Sequence, residues 1–106
     1  MPVSQLADVG DNNEECKTFV FEQEGHTLGN ALRCIISNYK DVEFCGYTVP
    51  HPSEDKMHFR IQMCKGGTAI DALKRGLKDL ILVCEHTEKQ FDEEFLSFSA
   101  KNGLNL

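Results

Sequence analysis

The side chains of this sequence that could support metal or acid–base chemistry are its histidines, cysteines and carboxylates. Six of them could in principle bind zinc: His51, His58, His86, Cys45, Cys64 and Cys84. No two of these six are separated by two to four intervening residues, the spacing that structural zinc sites usually show. Each cysteine lies in an apolar pattern, so we interpret the cysteines as small core residues and predict neither a metal nor a cofactor.

Other motifs that would indicate an enzyme are also lacking in the sequence. No Ser-His-Asp or Cys-His nucleophile motif is present. Gly66 and Gly67 precede a predicted helix, but the Gly-Lys-Ser/Thr ending of a phosphate-binding loop does not follow them, so they predict a turn. We therefore expect a protein without catalytic residues. The alternative from another class is a small metal-dependent enzyme that uses the histidines and acids.

The composition also excludes several partners. The 106 residues suit one domain, and the net charge is −6 with a pI near 5.1. Phosphate neutralisation supplies most non-specific nucleic-acid affinity, so we expect no direct nucleic-acid binding by this acidic chain. No apolar run approaches the ~20 residues that cross a bilayer, and the first ten residues lack a secretory signal, so we expect no membrane. Five dispersed cysteines predict reduced thiols in a cytosolic or nuclear protein.

The first predicted helix follows Gly25, which interrupts a strand-like run. Thr27 is the predicted N-cap, and the helix is expected to end near Ser37 or Asn38. Gly29 lies inside it, where glycine costs about 1 kcal/mol relative to alanine, so we expect another backbone to approach closely there. One apolar stripe comprises Leu28, Ala31, Leu32, Ile35 and Ile36.

Three segments have the composition or the period of β-strands. They are residues 16–23, residues 42–48 and residues 57–63. In residues 57–63 apolar and polar side chains alternate, which predicts one dry and one wet face. Val42 and Phe44 are expected to point one way, and Glu43, Cys45 and Tyr47 the other. The second and third strands are expected to pair as an antiparallel hairpin around a proline-containing turn.

The second predicted helix opens at Thr68, which forms a capping-box pattern with Asp71. Its apolar stripe comprises Ile70, Leu73, Leu77, Leu80, Ile81, Cys84, Phe91, Phe95 and Phe98. A helix that reaches about residue 96 would be roughly 40 Å long, which is more than a sheet of this size can cover. The far half is therefore expected to expose an apolar stripe, and such stripes mark interaction surfaces.

These elements predict an α/β (α+β) fold: a small, mostly antiparallel sheet with two helices on one face, the C-terminal helix being long. Residues 1–15 are assigned to a disordered acidic tail. Residues 16–98 form the predicted domain, and residues 99–106 are expected to be a frayed C-terminus.

Two blocks of the sequence resemble the alpha-type assembly subunits of DNA-directed RNA polymerases, which include bacterial alpha, archaeal subunit L and their eukaryotic relatives. The first block, residues 25–33, is similar to the family signature through Gly25, His26, Thr27, Leu28, Gly29, Asn30, Leu32 and Arg33. The second block comprises residues 42–48, residues 51–54, Lys56 and residues 60–62. It resembles the small alpha-like subunit shared by RNA polymerases I and III.

This resemblance implies the alpha-subunit dimerisation fold and a non-catalytic role. It implies a heterodimer with a larger alpha-like subunit, as an assembly platform for the large catalytic subunits in rRNA, 5S rRNA and tRNA transcription. It also implies a nuclear location that includes the nucleolus. The alternative is the equivalent subunit of RNA polymerase II. Cys34 replaces the second of two arginines in bacterial alpha, so a large-subunit contact through that pair is not carried over.

The residues expected to form the partner interface come from both helices. They are Leu28, Leu32, Ile35, Ile36, Leu73, Leu77, Leu80, Ile81, Cys84 and Phe91. Some of them must face the chain's own sheet, and the apolar pattern alone leaves open which ones do.

Overall fold

The computed structural model describes residues 3–5 and 14–103. Its elements in chain order are β1 (Val3–Gln5), β2 (Cys16–Glu22), α1 (His26–Ile36), β3 (Val42–Thr48), β4 (Lys56–Met63) and α2 (Ala69–Asn102). The four strands form one antiparallel sheet in the order β1-β2-β4-β3. Both helices pack on the same face of this sheet. The predicted two-layer α/β architecture is therefore confirmed.

The core lies between the helices and alternate residues of the two central strands. Phe19 opposes Phe59 in the β2–β4 register, and Phe21 opposes Met57. The rings of Phe21 and Phe59 meet edge to face, with centroids 6.4 Å apart. The helices close over these side chains with Leu32, Ile36, Ala69, Ala72 and Leu73. The alternation predicted for residues 57–63 is confirmed, because its apolar members are all buried.

Strand β3 contains a β-bulge that the sequence pattern did not predict. Val42 opposes Met63 while Phe44 opposes Gln62, so β3 advances two residues where β4 advances one. The prediction that Val42 and Phe44 share a face is therefore wrong. Val42 packs against the core, whereas Phe44 is 52% exposed.

Glycines permit close packing of both helices. A Cβ atom on Gly29 would lie 2.5 Å from Met57 Sδ and 2.6 Å from Tyr47 Cδ2, so α1 rests on sheet side chains. The neighbour is therefore not another backbone, as the sequence had suggested. A Cβ atom on Gly76 would lie 2.5 Å from Ile36 Cγ1, which marks the closest approach of α2 to α1.

The helix termini differ in detail from the predicted caps. The N-cap of α1 is Gly25, not Thr27, and the Gly25 carbonyl accepts the first helical hydrogen bond from the Gly29 N–H at 3.0 Å. Thr68 is the N-cap of α2 as predicted, but its hydroxyl makes no capping hydrogen bond. The Ala69 N–H donates instead to the Glu14 carbonyl at 2.8 Å, so the chain before β2 satisfies one of the unpaired donors of α2.

The chain termini also differ from the predicted boundaries. Residues 3–5, assigned to a disordered tail, pair with residues 19–21 of β2 as an edge strand. Helix α2 continues to Asn102 and ends at Gly103 in a left-handed conformation, so residues 99–102 are helical. Residues 1–2, 6–13 and 104–106 lie outside the described residues, and the predictions for them stay predictions.

A polar cluster connects the α1–β3 loop to α2. Arg75 donates to Asp41 at 2.6 Å, and its guanidinium lies 4.8 Å from the Tyr39 ring centroid. The Tyr39 hydroxyl donates to the Asp79 carboxylate. Burial, together with this hydrogen bond to Asp79, raises the pKa of Tyr39 to about 12, which keeps the phenol protonated and able to donate.

We expect Gly76→Ala to destabilise the chain, although alanine favours an exposed helix by about 1 kcal/mol. The added methyl group would overlap the buried Ile36 side chain, and overpacking of this kind costs typically 1–3 kcal/mol. Urea unfolding followed by circular dichroism measures the difference. Gln90→Ala, at an exposed position of the same helix, is the control and should change stability little. An equal free energy of unfolding for Gly76→Ala and the parent chain would contradict the close packing of α2 on α1 at Gly76.

Candidate functional site

Helix α2 is longer than the sheet on which it packs. Its 34 residues span about 51 Å at 1.5 Å per residue, in a molecule whose longest dimension is 64 Å. The N-terminal part, which contains Ala69, Ala72 and Leu73, lies in the core. Residues 81–94 are all exposed. The far half of the helix therefore extends beyond the sheet.

One apolar face runs along most of α2, and we call it the α2 apolar face. Its residues are separated by three, four or seven positions, which places them on one side of a helix. They are Leu73, Leu77, Leu80, Cys84, Phe91, Phe95 and Phe98. Leu73 is only 6% exposed, but Phe91 is 63% and Phe98 53% exposed. The same face that fills the core thus becomes a surface where the sheet ends.

The exposed end of this face presents a pair of stacked aromatic rings. The ring centroids of Phe91 and Phe95 lie 5.6 Å apart with an interplanar angle of 15°. Burying a phenylalanine side chain is worth about 1.5–3 kcal/mol, so leaving Phe91 and Phe98 in water forgoes a substantial stabilisation. An apolar face of this extent is typical of an interface with another chain.

The predicted interface residues fall into three groups in the structure. Leu32, Ile36 and Leu73 are buried in the chain's own core. Leu28, Leu77 and Leu80 pack against that core but keep part of their surface in solvent, and Ile35 is also half-buried. Ile81, Cys84 and Phe91 are exposed. Only this last group, with the exposed parts of the second, is free to contact a partner.

Three exposed apolar residues of α2 were missed by the sequence analysis: Leu82, Val83 and Leu96. Leu82 and Val83 are more than half exposed and directly follow Leu80 and Ile81. Four consecutive apolar residues cover every side of one helical turn, and that run was the signal that could have identified Leu82 and Val83. A turn that is apolar all round needs contacts on more than one side.

The signature residues of α1 mainly fix this helix on the sheet. His26 Nδ1 lies 3.0 Å from the Tyr47 hydroxyl, and their rings pack edge to face. Arg33 donates to the Asn30 side chain at 2.8 Å. Gly29 and Leu32 are buried, while Thr27 and Asn30 are exposed. The exposed members leave a polar strip of α1 available to other chains.

The structure does not assemble the candidate metal ligands. Within residues 3–5 and 14–103, no group of three histidine, cysteine or acidic side chains is placed to hold a metal ion. The five cysteines, all in the described part, are free thiols. Among the described helices, none is long and apolar enough to cross a membrane.

The fold and the uncovered helix face define a class: a two-layer α/β domain of the kind that pairs with a second chain through its helices. A family model described as the RNA polymerase Rpb3/Rpb11 dimerisation domain matches residues 16–90. Because this match covers most of the sequence, the chain belongs to the Rpb3/Rpb11 dimerisation domain family.

Individual relatives give a finer comparison. The chain is 54% identical over 98 residues to the DNA-directed RNA polymerases I and III subunit RPAC2 of Drosophila melanogaster, covering 92% of each chain. It is 51% identical over 80 residues to RPAC2 of Saccharomyces cerevisiae, covering 76% of this chain but 56% of the yeast one. A probable RNA polymerase II subunit RPB11 of Caenorhabditis briggsae is 40% identical over only 63 residues.

The archaeal branch of the family shares the fold at low sequence identity. The crystal structure of DNA-directed RNA polymerase subunit L from Thermoplasma acidophilum aligns with a TM-score of 0.75 at 21% identity, covering 93% of each chain. This agreement confirms the predicted alpha-subunit dimerisation-like fold.

We expect the cysteines to differ strongly in reactivity. Burial raises the pKa of the Cys45 thiol to about 11, so at pH 8 only about one thousandth of it is the reactive thiolate. Cys34 and Cys64 are exposed. Iodoacetamide at pH 8 should modify Cys45 at least about tenfold more slowly than these two, and raising the pH toward 11 should narrow the gap. Peptide mass spectrometry measures each rate, with urea-unfolded protein as the control. Equal rates in the folded chain would contradict the burial of Cys45.

Proposed function

We propose that the chain is a non-catalytic subunit of DNA-directed RNA polymerases I and III, and that it pairs with a larger alpha-like subunit. Membership of the Rpb3/Rpb11 dimerisation domain family supports pairing as its mode of action. The extended similarity to subunits named RPAC2 supports polymerases I and III over polymerase II. The equivalent subunit of polymerase II shares the fold and remains the alternative.

The observation that carries this proposal is the α2 apolar face. It extends from the buried Leu73 to the exposed Phe98 with an interruption at Thr87, and the other side chains of its exposed half are of the apolar types that fill a core. A partner helix laid along Cys84, Phe91 and Phe95 would bury these side chains. We propose that the larger alpha-like subunit supplies that helix, and that the exposed sides of Leu28, Leu77 and Leu80 complete the contact.

The charge pattern of α2 also fits a helix that functions in a complex. Residues 85–94 carry Glu85, Glu88, Asp92, Glu93 and Glu94 against a single lysine. The macrodipole acts mainly within the last turn of α2, where Lys101 lies, so it does not account for these acids, which lie two or more turns earlier. Glu85 and Glu88, and Glu88 and Asp92, are like-charged neighbours along the helix, which destabilises it slightly. We propose that basic groups of the assembled complex offset this repulsion.

The heterodimer would act as an assembly platform. We propose that it receives the large catalytic subunits, which contain the chemistry of rRNA, 5S rRNA and tRNA synthesis, and that the chain resides in the nucleus, including the nucleolus. This chain would contribute binding surfaces for other subunits and no catalytic residues. Its net charge of −6 favours contacts with protein over direct contacts with DNA or RNA.

We expect Phe91→Asp to abolish pairing with the larger alpha-like subunit. The side chain is 63% exposed in the chain alone, so the substitution leaves the core intact, but pairing would bury an unpaired carboxylate at a cost of several kcal/mol. Co-expression with the tagged larger subunit and quantification of the co-purified chain measure the effect.

The matched control is Ala100→Asp in the same helix. Ala100 is exposed and lies nine residues after Phe91, which places it on the opposite side of the helix at about 100° per residue. It should co-purify at near the parental yield. If Phe91→Asp co-purifies with the larger subunit at the parental yield, the interface lies elsewhere on the chain. Leu77→Asp is a poorer test, because Leu77 also packs against the chain's own core.

A further inference from the structure

The middle of the sheet face opposite the helices carries a single lysine, arginine, aspartate or glutamate side chain. Its central positions alternate with the buried residues of β2 and β4 and follow the bulge in β3. We call them the outer sheet face: Cys16, Thr18, Val20, Phe44, Gly46, Thr48, His58, Arg60 and Gln62. Arg60 is the one Lys, Arg, Asp or Glu among these nine residues, and Glu22 and Lys56 lie opposite each other toward one end of the same face. Protein interfaces have this composition at their centres, where charged residues are depleted but aromatic residues and arginine are enriched.

The Phe44 ring has room on this face because Gly46, two residues along the same strand, has no side chain. A Cβ atom on Gly46 would lie 3.1 Å from the Phe44 ring, so the glycine leaves room for the ring to lie along β3 beside it. The ring is 52% exposed and forms one wall of a mostly apolar groove of about 310 Å³. Thr18 and His58 also line this groove. The groove is large enough for one apolar side chain.

Arg60 lies at the centre of the outer sheet face and has no partner there. It opposes Thr18 on one side and Gly46 on the other, neither of which carries a charge. Within the part of the chain that the structure describes, its guanidinium makes no hydrogen bond and no ion pair. It borders the groove beside Phe44, and its exposed position leaves all five N–H donors available.

We propose that the outer sheet face binds a polypeptide segment of another protein in which a carboxylate neighbours an apolar side chain. The carboxylate accepts two hydrogen bonds from Arg60, and the apolar side chain enters the groove beside Phe44. An arginine and an aromatic side chain in this arrangement are the residue types that dominate interface energetics. The charge complementarity is local, because the Arg60 guanidinium borders the groove and has no carboxylate partner in the described part of the chain.

The same surface is poorly suited to nucleic acid. One arginine can neutralise one phosphate, whereas single-stranded binding sites follow the backbone with a positively charged groove. Glu15 and Glu43 border the neighbouring cavity that Arg60 also lines, and they would repel a continuing chain of phosphates. A peptide with a single carboxylate bound at Arg60 places no second negative charge near Glu15 and Glu43, so this repulsion does not arise.

This docking site does not depend on the function proposed for α2. It lies on the opposite side of the sheet from both helices, so a partner on the α2 apolar face and a segment on the outer sheet face can bind together. A failure of one proposal leaves the other untouched.

The test uses the full-length chain in the complex that forms on co-expression with the larger alpha-like subunit, or alone if no complex forms. The probe is a fluorescein-labelled synthetic peptide in which one glutamate lies next to a leucine among glycine and serine residues, and its counterpart has lysine in place of the glutamate. Fluorescence anisotropy gives Kd, and a benzophenone on the peptide maps the site by cross-linking.

Three variants are compared: Arg60→Glu, Phe44→Ser and Lys56→Glu. Lys56→Glu is the control, because Lys56 lies on the same strand and face but outside the groove.

We expect the glutamate peptide to bind and to cross-link to β3 or β4. Arg60→Glu and Phe44→Ser should each raise its Kd at least about tenfold, and Lys56→Glu should leave it within about twofold. Arg60→Glu should also gain affinity for the lysine peptide, a reversal that a loss of folding could not produce. Three results would each overturn the proposal. They are an unchanged Kd in Arg60→Glu, cross-links confined to α2, and tighter binding of a single-stranded RNA oligonucleotide than of the glutamate peptide.

Discussion

The apolar face of α2 continues beyond the sheet that buries its first half. At its N-terminal end this face fills the core through Leu73, and at its C-terminal end it exposes Phe91 and Phe98 to water. A sheet of four short strands cannot cover a helix of about 51 Å. The protein is therefore a domain whose own core is complete but whose longest element is not satisfied within one chain, and the pairing of this family fits that mismatch.

The rest of the fold holds α2 at a fixed position relative to α1 and the sheet. Gly76 permits the close crossing at Ile36, and the Glu14 carbonyl satisfies the first N–H of the helix. Arg75 and Asp79 connect the helix to the loop before β3. These contacts are concentrated in the first third of α2, so the direction in which the helix leaves the sheet is set there.

Much of the fold could be predicted from the sequence because it depends on local periodicity. The alternation in residues 57–63 and the three-and-four spacing of α2 predict a strand and a long helix directly. The bulge in β3 could not be predicted, since it arises from the pairing of Val42 and Phe44 with β4 and leaves the local pattern unchanged. The apolar pattern also could not show which of the predicted interface residues are buried in the chain's own core and which are exposed. Whether Leu32 or Phe91 is buried depends on where the sheet ends.

Hydrogen exchange of the α2 backbone tests the central claim most directly. Amides of residues 83–102 would be followed by mass spectrometry in the chain alone and in its complex with the larger alpha-like subunit. If the exposed half of α2 is completed by the partner, its exchange should slow strongly on pairing, while residues 69–76, already packed against the core, should change little. Equal exchange of residues 83–102 in both states would show that the partner lies elsewhere and that the exposed helix face has another role.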